Sequence, residues 1–479
     1  MSHSGYPELG LFIDNKLVPG SGAGDRFVVN PATGETLARL PIASRDDLDT
    51  ALSCASRAFP AWKATPVLAR SQILRKAASL MRERLEEIAL TMTLEQGKVL
   101  AESRVEVSAA ADIIDWYAEE GRRAYGRVIP SRAPGTRFLT LKLPVGPVAA
   151  FSPWNFPAVI PARKVAASLA AGCTCIIKPA EETPGTMLAM ARALADAGLP
   201  EGVLTVVTGN PSEISTYLIA SPIIRKVSFT GSTAVGREIG RLAADGVKRT
   251  TLELGGHAPV LVLEDADPVA AAAASAASKF RNAGQVCISP TRFYVHDRVY
   301  DDFVDAFAEK ADALTVADGV SEGAQMGPTA NPRRVSAMEA LTADAVSAGA
   351  RVVAGGERGS NQGFFWQPTV IADVPDTARI MNEEPFGPVA VIRRIGSVDE
   401  AIAEANRLPY GLAAYAFTRS SAHSIRLGEQ VETGMLGINN FLINMPETPF
   451  GGVKESGYGS EGGIEGLDAY LDVKLISES

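Results

Sequence analysis

The stretch that decides the fold runs from Val145 to Glu182, VGPVAAFSPWNFPAVIPARKVAASLAAGCTCIIKPAEE. It opens on a β-rich apolar run, crosses a proline-punctuated turn, continues as a helical segment over 158–171 and returns to a strand in TCIIKP. The alternation then repeats as a helix over 187–197, LTVVTG, a helix over 212–220, KVSFTG and a helix over 235–243. Short β-rich runs separated by helices predict a parallel, doubly wound α/β sheet, in which ligands collect at the C-terminal strand edges. The segment is therefore a candidate cofactor domain.

Upstream, LFIDNKLV reads as an extended opening, and residues 67–95 read as one amphipathic helix with Ile73, Leu80, Leu85 and Ile88 among its apolar positions. Another helical pattern follows Ser103. Between 127 and 143 the reading becomes extended, with Leu141 and Leu143 alternating after Phe138 and Leu139, as in an exposed ribbon. Downstream of TLELGG a second alternation (APVLVL, a helix over 270–279, TRFYV, a helix from Tyr300) indicates another α/β unit reaching about Gly434. The C-terminal YLDVKLIS alternates like a strand that pairs with the ribbon or with another subunit.

Composition narrows the function classes. A chain of 479 residues has room for a large core and, at roughly 100 to 200 residues per domain, two to four domains. With 46 basic and 55 acidic residues the net charge is −9, which argues against a broad nucleic-acid or anionic-membrane surface. The four cysteines, Cys54, Cys173, Cys175 and Cys287, form no CxxC pair, so neither a disulfide framework nor a metal centre is expected, and a reducing, cytoplasmic setting fits best. The opening MSHSGYPELG lacks a basic segment followed by an apolar run, and the Ala-rich stretch at 269–278 is too short to span a bilayer.

Cys287 lies in FRNAGQVCISPTRF, where Gly and Asn favour a loop between a helix and a strand. A thiolate there could attack a carbonyl carbon; the bland alternative is a buried hydrophobe, the reading kept for Cys54, Cys173 and Cys175. Asn155 in SPWNFP, ahead of a Pro157 that suits the first turn of a helix, is either a cap or loop residue or an amide donor to a developing oxyanion. Glu253 in TLELGG is either an exposed strand-end carboxylate or, if buried, a general base for water. Gly231, Ser232 and Gly236 in KVSFTGSTAVG precede an amphipathic helix whose N-terminus can meet a pyrophosphate, although an ordinary turn reads equally well. Lys178 and Glu181 in KPAEE could approach a ribose, and Glu384 and Phe386 in NEEPFGPV could hold a ribose and pack near a planar ring; charged loops are the alternative.

Together SPWNFP, KPAEETP, FTGSTAVG, ELGG, GQVC, EEPFGPV and PFGGVKESG, in this order, resemble the aldehyde dehydrogenase superfamily from about Asn30 to Leu475. ADIIDWYAEEGRRAYGR, GQVCISPTRF and GGVKESGYGSEGG look most like its bacterial succinate-semialdehyde and α-ketoglutaric semialdehyde dehydrogenases. The resemblance implies a Rossmann-like NAD-binding domain over 1–123 and 144–254 and a catalytic α/β domain over 255–434. It implies that 435–464 return to the cofactor domain and the active-site rim, and that 124–143 with 465–479 form a small β oligomerisation element of a homodimer or homotetramer. It carries the nucleophile onto Cys287, the general base onto Glu253 and the oxyanion donor onto Asn155. It places NAD, with NADP as the alternative, against Trp154, Lys178, Glu181, Gly231, Ser232, Gly236, Glu384 and Phe386. The implied reaction is thiolate attack on an aldehyde, hydride transfer to NAD and hydrolysis of the thioester to a carboxylate.

For the substrate, helical spacing after Pro157 puts Phe156, Val159 and Arg163 on approximately one face. Arg163 and Arg281 resemble the semialdehyde branch's carboxylate anchors, and two such arginines could clamp the far acid group of an aldehyde acid. Ile288, Ser289 and Phe450 complete the implied substrate set. Asn444 and Met445 depart from the Ser-containing sequence of typical succinate-semialdehyde enzymes, and Ser289 stands where many have a second cysteine. The leading expectation is oxidation of succinate semialdehyde or α-ketoglutarate semialdehyde. The alternatives are an aromatic or other non-acidic aldehyde substrate, or a catalytically idle protein that keeps the fold.

Overall fold

The computed structural model describes residues 5–360 and 362–479; residues 1–4, the start of the segment assigned to cofactor binding, lie outside them. Five parallel strands form the centre of an eight-stranded sheet in the spatial order Leu204–Val206, Cys175–Lys178, Val148–Phe151, Lys226–Thr230, Arg249–Glu253. The order reverses beside Val148–Phe151, whose neighbours on the two sides are Cys175–Lys178 and Lys226–Thr230. This is the doubly wound arrangement read from the sequence, and its switch point lies above Phe151 and Thr230. Strands such as VAAF and CIIK are buried along their whole length because helices cover both faces. Cys173 and Cys175 belong to this packed interior, and Cys54 is buried in a small cluster with Leu11 and Ile13.

LFIDNKLV forms a hairpin, Leu11–Ile13 with Lys16–Val18, which adds to one edge of the sheet. Its turn residues Asp14 and Asn15 have φ of 48° and 57°, the left-handed pair that a tight hairpin turn requires. At the opposite edge Gly457–Tyr458 pairs antiparallel with the end of Arg249–Glu253. A second, seven-stranded sheet runs Arg351–Ala354, Thr369–Ala372, Val389–Ile395, Pro290–His296, Ala258–Val262, Ala413–Phe417, Met435–Ile438. The C-terminal strand Leu471–Glu478 pairs antiparallel with Arg137–Pro144, which in turn pairs with Arg127–Ile129, so the ribbon and the last strand form a separate three-stranded sheet.

Three expectations are corrected. The helix read over 67–95 is two helices, Val67–Glu83 and Leu85–Gln96, because Arg84 leaves helical geometry at φ −99°, ψ 19° and Glu86 and Glu87 open the new first turn. Asn155 is a loop residue and not the helix cap, a place taken by Ala158 ahead of Val159–Ala171, and that helix ends at Gly172, whose φ of 95° supplies the left-handed stop. The second unit does not end at Gly434, since Met435–Ile438 is the edge strand of the second sheet, parallel to Ala413–Phe417. The chain returns to the first sheet only after that strand.

Candidate active site

Cys287, Glu253, Phe156, Arg163, Arg281 and Phe450 all face one cavity of about 630 Å³, together with Ile288. The two sheets contribute different parts of it. Glu253 is the last residue of its strand in the first sheet, and Cys287 sits in the loop between the helix Pro268–Phe280 and the strand Pro290–His296 of the second. Ser289, assigned to substrate from the sequence, is corrected. The chain turns there, with Ser289 N donating to Val286 O at 2.9 Å, and its buried hydroxyl accepts from Lys279 Nζ at 3.3 Å outside the cavity lining.

The loop ahead of Cys287 is unusual. Asn282, Ala283 and Gly284 have φ of 50°, 51° and 68°, three successive left-handed residues of which only one is glycine. Each non-glycine residue in this region costs of order 1–3 kcal/mol and persists only when its surroundings over-determine it. Asn282 supplies much of that determination. Its N–H donates to the Glu102 carboxylate, its Nδ2 to Asn155 O at 2.9 Å and Gln285 O at 3.2 Å, and its Oδ1 accepts from Gln96 Nε2 at 2.9 Å. Gly284 is required by closeness as well: a Cβ there would sit 2.1 Å from Gly387 O, in the segment that carries Glu384 and Phe386.

Asn155 is buried beside this loop, with Nδ2 donating to Gln285 O at 3.0 Å and one amide hydrogen left over. Its carbonyl accepts from Lys98 Nζ at 2.8 Å, and Lys98 also pairs with buried Glu106. Both oxygens of Glu253 are buried without a hydrogen-bond partner, and desolvation with nearby Glu461 holds its carboxyl well above the usual carboxylate range, opposed by Lys164 and Arg163. Burial also pushes the Cys287 thiol up to about 12, with Glu384 and Glu253 adding to the rise and Arg163 opposing it. The thiolate is the reactive form, so its fraction grows tenfold per pH unit below a raised pKa. In the cofactor-free protein, alkylation of Cys287 by iodoacetamide is accordingly expected to accelerate about tenfold per pH unit from 7 to 9; a plateau below pH 8 would contradict this electrostatic picture.

Arg163 is buried, donates from Nη2 to Asn444 O at 3.1 Å and lies 4.6 Å from the centroid of the Phe450 ring. Its Nη1 is buried with no partner. Arg281 is exposed at the cavity, 5.5 Å from the centroid of Phe156, and no acidic side chain among the described residues pairs with it. The cavity thus presents a thiol, an unpaired carboxyl group and two guanidinium groups with donors to spare.

The switch-point crevice tests the dinucleotide expectation. Ser152 Oγ, Glu181 Oε1 and Thr183 Oγ1 are buried without hydrogen-bond partners just beyond the C-terminal ends of central strands, and Thr230 Oγ1, likewise unpartnered, ends its strand at the border with the 630 Å³ cavity that it also lines. Lys178 Nζ lies 2.8 Å from Glu181 Oε1, an ion pair whose angle falls outside hydrogen-bond geometry. Ser232 caps the helix Thr233–Asp245, with Oγ accepting from Val235 N, and that helix begins just beyond the C-terminal end of Lys226–Thr230. A Cβ at Gly236 would fall 2.2 Å from Leu254, so glycine there lets the helix pack close to the strand end. Trp154 and Phe386 meet edge to face at 5.5 Å. Glu384 Oε1 accepts from Gly256 N at 3.2 Å, and desolvation pushes its carboxyl up to about 7. Orphaned donors and acceptors around an anion-ready helix end fit a dinucleotide.

Sequence reasoning missed Ser152, Thr183 and Thr230, although each sits in or directly beside a quoted motif. It also missed the bonding role of Asn282, read only as a loop-favouring residue of FRNAGQVC, and it missed Lys98 and Glu102, for which no local signal exists.

The aldehyde dehydrogenase family model matches residues 18–476. The chain belongs to the aldehyde dehydrogenase family. It is 51% identical over 466 residues, 97% of each chain, to a 4-(hydroxymethyl)benzenesulfonate dehydrogenase of Comamonas testosteroni. It is 44% identical over 449 residues, 94% of this chain and 93% of the other, to the NADP-dependent succinate-semialdehyde dehydrogenase of Escherichia coli. A crystal structure of succinate-semialdehyde dehydrogenase from Burkholderia pseudomallei superposes with a TM-score of 0.97 at 42% identity, covering 98% of both chains. As an aldehyde dehydrogenase, the protein is an oxidoreductase that uses NAD or NADP.

Proposed function

We propose that this aldehyde dehydrogenase oxidises aldehydes carrying a distal anionic group, with Cys287 as nucleophile, Glu253 as general base and Asn155 as oxyanion donor. The observation that carries the reading is Arg163: a guanidinium with a buried, unpartnered Nη1 at the cavity that also holds the thiol. A buried unpaired donor on a charged group is costly, and a substrate carboxylate or sulfonate would satisfy it. Arg281 adds a second cation at the same cavity.

In this reading Cys287 gives its proton to solvent water and its thiolate Sγ bonds to the aldehyde carbon, which leaves Glu253 unprotonated for the second half of the reaction. The oxygen of the resulting thiohemiacetal takes the free amide hydrogen of Asn155 and the Cys287 N–H, donors that strengthen as charge develops. The dinucleotide, when bound, supplies the hydride acceptor. Trp154, Lys178, Glu181, Gly231, Ser232, Gly236, Glu384 and Phe386 would hold it. Glu253 then takes a proton from the water that attacks the thioester, the S–C bond breaks and the carboxylate leaves. Water beside Glu253 opposes the desolvation that raises its carboxyl above the usual carboxylate range, and so favours the ionised base.

A second reading is favoured by the rings of Phe156 and Phe450, each under a guanidinium at the cavity. They suit a planar aryl aldehyde with a far anion as well as an aliphatic one, in keeping with the sulfonated aromatic in the name of the Comamonas relative. Initial rates over succinate semialdehyde, 4-formylbenzenesulfonate, butanal and benzaldehyde, with each dinucleotide, test both readings. Anionic aldehydes are expected to exceed their neutral counterparts in kcat/KM by at least about 30-fold, and equal values would refute the anionic class. NAD is expected to exceed NADP, because Glu181 repels an added 2′-phosphate, a repulsion that Lys178 softens without removing.

The exposed apolar side chains of the three-stranded sheet, Val128, Leu141, Val473 and Leu475, support assembly into a homodimer or homotetramer through that sheet. The free cysteines support a reducing, cytoplasmic setting.

A further inference from the structure

We propose that Asn282 is a positioning residue that locks the oxyanion donor to the nucleophile loop. The proposal rests on the roles just given to Asn155 and Cys287. Asn155 and Cys287 arrive from different sheets, separated by more than a hundred residues of chain, yet a tetrahedral intermediate needs the Asn155 amide and the Cys287 backbone held in one fixed relation. Asn155 cannot enforce that relation alone. Its Oδ1 is buried without a partner, so rotation of its amide is opposed by the single bond from Nδ2 to Gln285 O.

Asn282 controls both ends of that bond. Its Nδ2 donates to the Asn155 carbonyl, which fixes the backbone of the donor, and to Gln285 O, the acceptor that orients the donor's side chain. Gln285 is two residues before Cys287, so the bond that orients the Asn155 amide ties it to the loop that carries the thiol. The arrangement is itself held. Gln96 Nε2 fixes Asn282 Oδ1, the Glu102 carboxylate fixes Asn282 N, and Gln285 Oε1 accepts from Ala330 N at 2.9 Å. The left-handed backbone at Asn282 and Ala283 is what turns the amide inward, and it gives that conformation a geometric purpose.

A double-mutant cycle distinguishes positioning from general structural support. Asn282→Asp keeps size and Oδ1 but removes both donated bonds. It is expected to lower kcat about 10- to 100-fold with KM for the aldehyde changed less than about threefold. In an Asn155→Ala background the same substitution is expected to cost less than about threefold, because the amide that it positions is gone. Multiplying losses, or an unchanged kcat in Asn282→Asp, would overturn the proposal. If Asn282→Asp does not accumulate as folded protein, Gln96→Met decides: it frees Asn282 Oδ1, and a severalfold loss of kcat that vanishes in Asn155→Ala supports the proposal, whereas an unchanged kcat overturns it. Near-normal turnover in Asn155→Ala alone would remove the oxyanion role itself, a failure separate from that of the cycle.

Discussion

Cys287→Ala is expected to abolish aldehyde-dependent reduction of the dinucleotide, by at least about 10⁴-fold, the scale on which removal of a covalent nucleophile is felt. Dinucleotide binding should survive, because the orphaned atoms of Ser152, Glu181 and Thr183 lie outside the cavity that holds the thiol. No other cysteine can substitute. Cys173 and Cys175 are buried in the first core with their thiols pushed up to about 11 and about 12, and Cys54 is buried elsewhere. The measurement is absorbance of the reduced dinucleotide, paired with quenching of tryptophan fluorescence by the oxidised form. Turnover within tenfold of the unaltered protein would show that Cys287 is not the nucleophile. Glu253→Gln provides the contrast in the same assay: its amide cannot accept a proton from water, so a rapid first turnover followed by slow release is expected, and equal first and later turnovers would deny it the role of base.

How much of this was legible in the sequence follows from where each interaction lives along the chain. The parallel sheet was readable because VAAF, CIIK, LTV and KVSFT are buried on both faces and so appear as apolar runs. The break at Arg84 was not, since residues on both sides keep a helical pattern and only backbone geometry separates them. Met435–Ile438 went unread as a strand of the second sheet because its partner lies in Ala413–Phe417, across an intervening helix. In the candidate site, the motifs marked Cys287, Glu253 and Asn155 as candidates, and the structure places Cys287 and Glu253 on one cavity. The bonds that tie Asn155 to the loop of Cys287 join it to Gln285 and Asn282, and Gln96 to Asn282, over separations that local pattern cannot register. Ser289 was misplaced for the opposite reason: adjacency to Cys287 suggested a shared cavity, but one turn of backbone sends its hydroxyl to Lys279.

Arg163→Leu is expected to lower kcat/KM for anionic aldehydes by about 30- to 1,000-fold, the equivalent of roughly 2–4 kcal/mol for removing one partner of a desolvated charge pair. Neutral aldehydes of the same length should lose far less. The loss there is not zero, because Arg163 also opposes the rise in the pKa of both Cys287 and Glu253, so its removal leaves each group harder to ionise. That contribution acts on every substrate alike and cancels in the ratio of anionic to neutral aldehyde, which is therefore the quantity to measure. Arg281→Leu should show the same selectivity with a smaller amplitude, because Arg281 is exposed and its attraction is screened by water and salt. Raising the ionic strength should accordingly weaken the preference contributed by Arg281 more than that contributed by buried Arg163. Arg163 also packs on Phe450 and donates to Asn444 O, so a thermal melt must accompany the kinetics. A folded Arg163→Leu protein that loses activity equally on charged and neutral aldehydes would assign the buried guanidinium to packing and to the field on Cys287, and the anionic substrate class would lose its physical basis.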